Sequence, residues 1–542
     1  MADLAFVNGQ IRSLDPEREG GGEPSATAVA IAGGRILAVG SDREISAHCT
    51  TATEVIDLAG ACVTPGLVDS HTHPFSGALG TRGAVLYGLE HLDQVLAELR
   101  AEAERSGPDG WVLGWGLDYE LFSETGIHAG LIDVAVGGAP AMLRFRDGHT
   151  LLASTRALEL AGIDGPREFP QHAEVVCVDG RPTGELREDG AMDLLRAVVP
   201  EPTAEDLYQL HVENLRRFAA VGLTGTHMMD GSLAWLELLA TLEARGDLVT
   251  RVLAPFTIHP DTPQQLWQVY ADCAGAHGRR WRAGVAKFFL DGVIESGTGW
   301  LTAPDSEGEG VNSYWPDPAR YARAVRFFAE CGLQCATHAI GDMAVRFALD
   351  SYEGAGAAPG VSHRIEHIEL LERVDLGRFA ELGVVASPQP EHMFGLQLDR
   401  NDVFSRRVGE QRCQRAFRVR DLWESGAVVA LGSDWPVRSQ DPRRGMATAR
   451  LRRQPSQPEL PAYDDQALDG LQALYGYTRA PALATGDGGR LGLVRPGFCA
   501  DLTIFAADPV SCDPDDLTTL PVLATIVDGE LVYRAPGGNG SL

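Results

Sequence analysis

Lysine is almost missing from this chain. Of 46 basic residues among 542, 45 are arginine, and the exception is Lys287 in the run VAKFFLDGVIESGTG. Positive charge is scarce altogether: 75 acids stand against 46 bases, for a formal charge of −29. Such a surface repels phosphate backbones, which argues against nucleic acid and anionic membranes as partners. The nine cysteines are scattered with no C-x-x-C pair. Neither a disulfide framework nor a thiolate metal site is expected, and a reduced, cytoplasmic protein is. There is no run of 18 or more apolar residues, and the first thirty residues lack a basic n-region. Neither a membrane span nor a signal peptide is expected. A base-composition bias accounts for the rarity of lysine but not for the place of the last one.

What is present divides into two styles. At the N-terminus, LAFVNGQIRSL and AVAIAGGRILAVG read as short strands around Asn8-Gly9 and Gly33-Gly34, both hairpin signals. CADLTIFAAD and VLATIVDGELVYR, with Asp528-Gly529, repeat the style at the C-terminus. Residues 1–65 and 487–542 are therefore expected to form one small composite β-sandwich domain. Between them, an apolar strand, a polar tip and a helical stretch recur. The strands are expected at Cys62–His73, Leu223–Asp230, Arg251–Ile258, Gly284–Gly292, Leu333–Gly341, His363–Glu369, Gly383–Pro390 and Ala427–Pro436. Eight strands alternating with helices predict an α/β fold, a (β/α)8 TIM-type barrel over residues 66–486, with its site at the C-terminal strand ends. About 150 residues separate the first two strands, too many for a loop, so residues 80–205 are read as an inserted lid subdomain.

Placed on these strands, the metal-capable residues all fall at polar tips. His71 and His73 are two apart and share a face of strand one. Lys287 is on strand four, His338 on strand five, His367 on strand six and Asp434 on strand eight. Singly, each has a bland reading, as a hydrogen-bonded core histidine or a helix N-cap. Jointly, imidazoles and a carboxylate at one barrel mouth make a donor set for divalent ions of the zinc type. Two such ions need a bridging anion. An uncharged lysine amine supplies one by adding carbon dioxide to become a carbamate, whereas arginine stays protonated. The bland reading of Lys287 is a salt bridge to an acid such as Asp291.

The motifs VTPGLVDSHTHP, KFFLDGV, THAIGD, RIEHIEL and LGSDWPV resemble those of the amidohydrolase superfamily, over nearly the whole chain. GWGLDYE, RFRDGHTLLASTRAL and RLGLVRPGFCADL are similar to its YtcJ-like branch, which includes N-substituted formamide deformylases. Ser154 departs from that pattern, standing where relatives usually carry asparagine. The resemblance implies that His71, His73 and Asp434 hold one metal, that His338 and His367 hold a second, and that carboxylated Lys287 bridges them. A single-metal site using the same residues is also compatible with it. It implies metal-activated hydroxide as nucleophile, with Asp434 moving the proton. His392, in SPQPEHM, is a candidate donor to the substrate carbonyl, and His149 a candidate reaching from the lid. Trp115, Trp300 and Trp435, with Tyr314 and Trp315, are candidates for an apolar pocket.

The expected activity is hydrolysis of a non-peptide C–N bond in a small amide or formamide. Alternatives are the same site acting on an ester, lactone, cyclic imide or heterocycle (as a deaminase), or a non-catalytic barrel scaffold. The expected partners are a small-molecule substrate and, for self-association, a second copy in a homodimer.

Overall fold

Gly66 divides what reads as one strand. In the computed structural model, which describes residues 1–18, 24, 26–89, 91–107, 110–123, 125–145, 150–169 and 173–536, Cys62–Pro65 and Leu67–Thr72 belong to different sheets. A Cβ at Gly66 would lie 2.2 Å from the Thr224 hydroxyl, so only glycine lets the chain pass there.

Downstream of that break, seven parallel strands follow one another in chain order. They are β1 (Leu67–Thr72), β2 (Leu223–Met228), β3 (Arg251–Thr257), β4 (Trp281–Phe289), β5 (Gln334–Ala339), β6 (Arg364–His367) and β7 (Val385–Ser387). The expected eighth strand, Ala427–Pro436, is not a regular strand, but it joins the two edges. Ala386 N donates to the Val428 carbonyl (2.9 Å) and Ala430 N to the Ala386 carbonyl (2.9 Å) on the β7 side. On the β1 side, Ser70 N donates to the Leu431 carbonyl (3.1 Å), Asp434 N to His71 (2.7 Å) and His73 N to Trp435 (2.9 Å). Regular pleating fails because Gly432 must pass His71, 2.7 Å from where a Cβ would stand, and because Asp434 adopts φ +58.

Alternation along β4 sorts its side chains. Phe288 faces outward onto Trp315, Tyr321 and Phe328, while Val285 joins Met229, Leu253 and Ala336 in an inner cluster, on the same face as Lys287. The outer cover at this point is the helix Pro318–Glu330. It is capped by Asp317, begins with Pro318, and buries Tyr321, Ala324, Val325 and Phe328 at helical spacing.

Segments of both termini pair directly. Cys62–Pro65 runs antiparallel to Leu502–Phe505, and Phe6, Val29 and Val63 share a core cluster with Leu502, Ile504 and Ile526. Gly33-Gly34 and Asp528-Gly529 do turn hairpins. Asn8-Gly9 does not: Leu4–Val7 pairs with Ala28–Ala32, whereas Gln10–Ile11 pairs with Cys62–Val63 in the other sheet. Asn8 takes a left-handed conformation there, and a turn signal serves to change sheets.

Residues Met1–Pro74 with Val212–Leu542 form one compact unit, and Phe75–His211 another. The second unit has its own six-stranded sheet and two apolar clusters, one centred on Leu86, Val112 and Phe145, the other on Leu151, Leu186 and Leu195. Ser154 is an internal anchor of this unit. Its hydroxyl accepts from Ala157 N as a helix cap, accepts from Ala141 N, and donates to the Ala139 carbonyl. All nine cysteines are free. Among the described residues no helix is long and apolar enough to cross a membrane.

Candidate active site

Three histidines aim at one carboxylate. His71 and His73 place Nε2 at 3.3 Å and 3.0 Å from Asp434 Oδ1, and His392 places Nε2 at 3.5 Å from Asp434 Oδ2. Behind each ring stands another acid. His71 Nδ1 is 2.8 Å from Glu366 Oε2, His73 Nδ1 is 3.2 Å from Asp230 Oδ1, and His392 Nδ1 is 3.1 Å from Glu369 Oε1. A carboxylate only accepts, and each ring stands between two; a ring that holds a cation at Nε2 donates its one proton from Nδ1 to the acid behind it. That backing is how proteins fix histidine as a metal ligand.

The donor atoms of His71, His73 and Asp434 lie within 4.8 Å of one another, and so do those of His367, His392 and Asp434. His367 has φ +72, with Ile368 at +55, so the chain turns out of β6 into a conformation β-carbons resist. This turn brings its ring to 4.7 Å from that of His71 and 4.4 Å from that of His338, centroid to centroid. Its buried Nδ1 has no hydrogen-bond partner among the described residues. His338 is in the same group of rings, but its Nε2 is bonded to the Gly292 carbonyl at 3.1 Å. That bond leaves the Nδ1 of His338 available, so His392 joins His338 as a candidate to complete the second donor group with His367.

Lys287 is fully buried, and its Nζ has no hydrogen-bond partner among the described residues. It stands 4.9 Å from the centre of the Phe289 ring. Asp291 is not its partner: that carboxylate accepts from the backbone N–H groups of Trp300, Ile340 and Gly341. Burial lowers the Lys287 amine to about 8, although Glu366 and Asp434 pull the other way. Burial, aided by the Lys287 charge, lowers His71 to about 4 and His338 to about 3. His73 moves oppositely. Burial would lower it, but Asp230 and Asp434 raise it to about 9, so a proton occupies the space between two carboxylates where a cation would be held. Asp434 itself is opposed by burial, yet His71 and His73 keep it well below the usual carboxylate range.

Inside the barrel, one arginine ties this cluster down. Arg364, fully buried, donates to Glu366 from Nε (2.5 Å) and Nη2 (3.0 Å), to the Ser70 carbonyl (2.6 Å), to Ser387 Oγ (2.7 Å) and to His227 Nδ1 (3.0 Å).

The aromatic candidates are placed differently. Trp435 is buried edge-on against Phe218, and Trp315 is buried with its indole N–H on the Phe289 carbonyl. Trp300 packs on Phe347. Tyr314 is exposed, its hydroxyl 3.5 Å from His259 Nδ1. Trp115 lies in the Phe75–His211 unit, stacked on Tyr87. His149 lies outside the described residues.

Residues 54–533 match the profile of the amidohydrolase family. The chain belongs to that family. Among its amidohydrolase relatives, an N-substituted formamide deformylase from Arthrobacter pascens is 29% identical, covering 99% of each chain. Protein LONG AFTER FAR-RED 3 from Arabidopsis thaliana is also 29% identical, over 98% of this chain and 92% of its own. The fold matches an uncharacterized metal-dependent hydrolase from Pyrococcus horikoshii at a TM-score of 0.73, with 24% identity over 94% of this chain and 99% of that one.

The acids behind the histidines of this amidohydrolase, Asp230, Glu366 and Glu369, are the functional residues that motif reading passes over. Two of them lie inside RIEHIEL, and Glu366 shares a strand face with Arg364. Alternation was the available signal.

Proposed function

We propose that this amidohydrolase is a metal-dependent enzyme cleaving a non-peptide C–N bond, in an amide or formamide with an apolar substituent. The observation that carries the reading is the convergence of three carboxylate-backed histidines on Asp434, beside a buried amine with no hydrogen-bond partner among the described residues. These residues fit a divalent cation of the zinc type. His71, His73 and Asp434 would hold one, and His367 with His392 or His338 would hold a second. Such a cation polarises the scissile carbonyl and acidifies a water molecule to provide the nucleophile.

The chain's own groups supply the rest. Glu366, Asp230 and Glu369 fix the ring orientations. Asp434, held ionised, takes the proton of the attacking water and returns it to the leaving amine. His392, between Glu369 and Asp434, donates to the substrate carbonyl when its proton is on Nε2 and suits a cation when its proton is on Nδ1. Lys287 Nζ, when uncharged, bonds to the carbon of carbon dioxide and releases one proton, becoming a carbamate anion whose oxygens would add to the ligand set and offset cationic charge.

The resemblance to the formamide deformylase supports the choice of bond, and the test separates it from the alternatives. Purified protein with measured metal content is assayed on N-benzylformamide, simple amides, esters, lactones and aminated heterocycles. Formamide or amide turnover is expected to dominate. Asp434→Asn is expected to lower kcat by about 10²–10⁴, an effect larger than its effect on folding. Full turnover by a metal-free preparation, or turnover of esters alone, would sink the assignment.

A further inference from the structure

A cavity of about 320 Å³ opens at the opposite end of the barrel, where β1 to β4 begin. Its wall carries five arginines, Arg251, Arg279, Arg280, Arg282 and Arg490, but only two carboxylates, Asp487 and Asp501. Most of these guanidinium groups are committed. Arg251 donates to Asp501 and Asp528, Arg279 and Arg280 to Glu530, and Arg490 to Asp487. Arg282 differs. It spends one nitrogen, Nη2, on the Thr485 carbonyl (2.6 Å) and Asp487 (2.9 Å), and neither Nε nor Nη1 has a partner among the described residues.

His227 lines the same space and is 6% exposed. Its Nδ1 is 3.0 Å from Arg364 Nη1. A guanidinium can only donate, so Nδ1 is the acceptor and the proton of the neutral ring is on Nε2. That N–H has no acceptor among the described residues. Arg282 and His227 both line this one cavity. The remaining wall includes Val68, Leu253 and Pro481.

We propose that this cavity binds a small organic monocarboxylate, one carboxylate oxygen on Arg282 Nη1–H and the other on His227 Nε2–H, its hydrocarbon part against Val68, Leu253 and Pro481. Two separate donors, one of them charged, suit the two oxygens of a carboxylate. Asp487 and Asp501 make the cavity a poorer host for a dianion, so a carboxylate is favoured over phosphate. The volume is at the small end of ligand pockets, which limits the hydrocarbon part.

The test reads binding directly and so stands apart from the hydrolase assignment. Isothermal titration with benzoate and with inorganic phosphate, at matched ionic strength, is run on the full-length protein, on His71→Ala and on Arg282→Met. Benzoate is expected to bind wild type and His71→Ala equally and phosphate more weakly. Arg282→Met is expected to bind benzoate about ten- to a hundredfold more weakly while retaining hydrolysis. Should that variant fail to fold, Ala482→Phe intrudes on the same cavity, leaves every charge in place, and is expected to abolish binding. Four results would overturn the proposal: no benzoate binding, equal affinity in wild type and the cavity variants, tighter binding of phosphate, or loss of binding in His71→Ala, which would put the anion at Asp434.

Discussion

Lys287→Arg is expected to lose at least one metal ion per chain and to hydrolyse substrate about a thousandfold more slowly or worse. The magnitude follows from the several kcal/mol that Lewis-acid activation supplies, at 1.36 kcal/mol per tenfold in rate. In a chain that uses arginine at every other basic position, the exchange looks conservative. It is not so here. The amine is fully buried, lacks a hydrogen-bond partner among the described residues, and is lowered to about 8 by burial, so some of it is uncharged near neutral pH. Only that form adds carbon dioxide. A guanidinium keeps its charge and has no such reaction. Lys287→Met separates chemistry from packing. It removes a desolvated amine with no bond to lose, so stability should be unchanged or slightly raised, while activity should fall as far as in the arginine variant. Metal analysis, turnover and denaturant titration of both variants check this. Normal turnover in either would mean that Lys287 serves no carbamate.

The second large effect is expected on folding. Arg364→Met should cost about 3–5 kcal/mol of stability, because it strands the buried charge of Glu366 and strips acceptors on β1 and β7 of a donor. Burial opposes ionisation of Glu366, and Arg364 with His71 overcomes it. Adding Glu366→Gln removes the stranded charge, so the double variant should recover part of the loss. The coupling is read as non-additivity in denaturant titrations. Simple additivity would show that the two groups do not depend on each other. Glu366→Gln alone is expected to weaken metal binding about 10–100-fold, since His71 loses the anion behind Nδ1.

The barrel was legible because its strands are apolar runs ended by chemistry-bearing residues, and His71, His73, His367 and Asp434 fall together as that pattern requires. The eighth strand was legible as a position but not as a strand. Gly432 and the left-handed Asp434 serve the site at the expense of pleating, and a composition rule does not see that exchange. The turn at Asn8 misled for a related reason. Local sequence chooses a left-handed residue, but the partners of the flanking strands are set by residues tens of positions away, Ala28–Ala32 on one side and Cys62–Val63 on the other. Glu366 and Glu369 were hidden among 75 acids, which solvent usually explains. His392 was named, but its role turns on Glu369 behind it, and no spacing in the sequence announces a pairing across a loop.

The burial of Lys287 also makes the folded protein silent to side-chain acylation. No other residue offers an ε-amine, and this one has no exposed surface. A reagent such as N-acetoxysuccinimide can therefore modify a side-chain amine only when the barrel opens. The mass of the peptide containing Lys287, followed over time, becomes a clock for that opening. Its rate is expected to fall when metal is supplied and to rise steeply in Arg364→Met, reporting the stability of the barrel interior from one atom without any introduced probe.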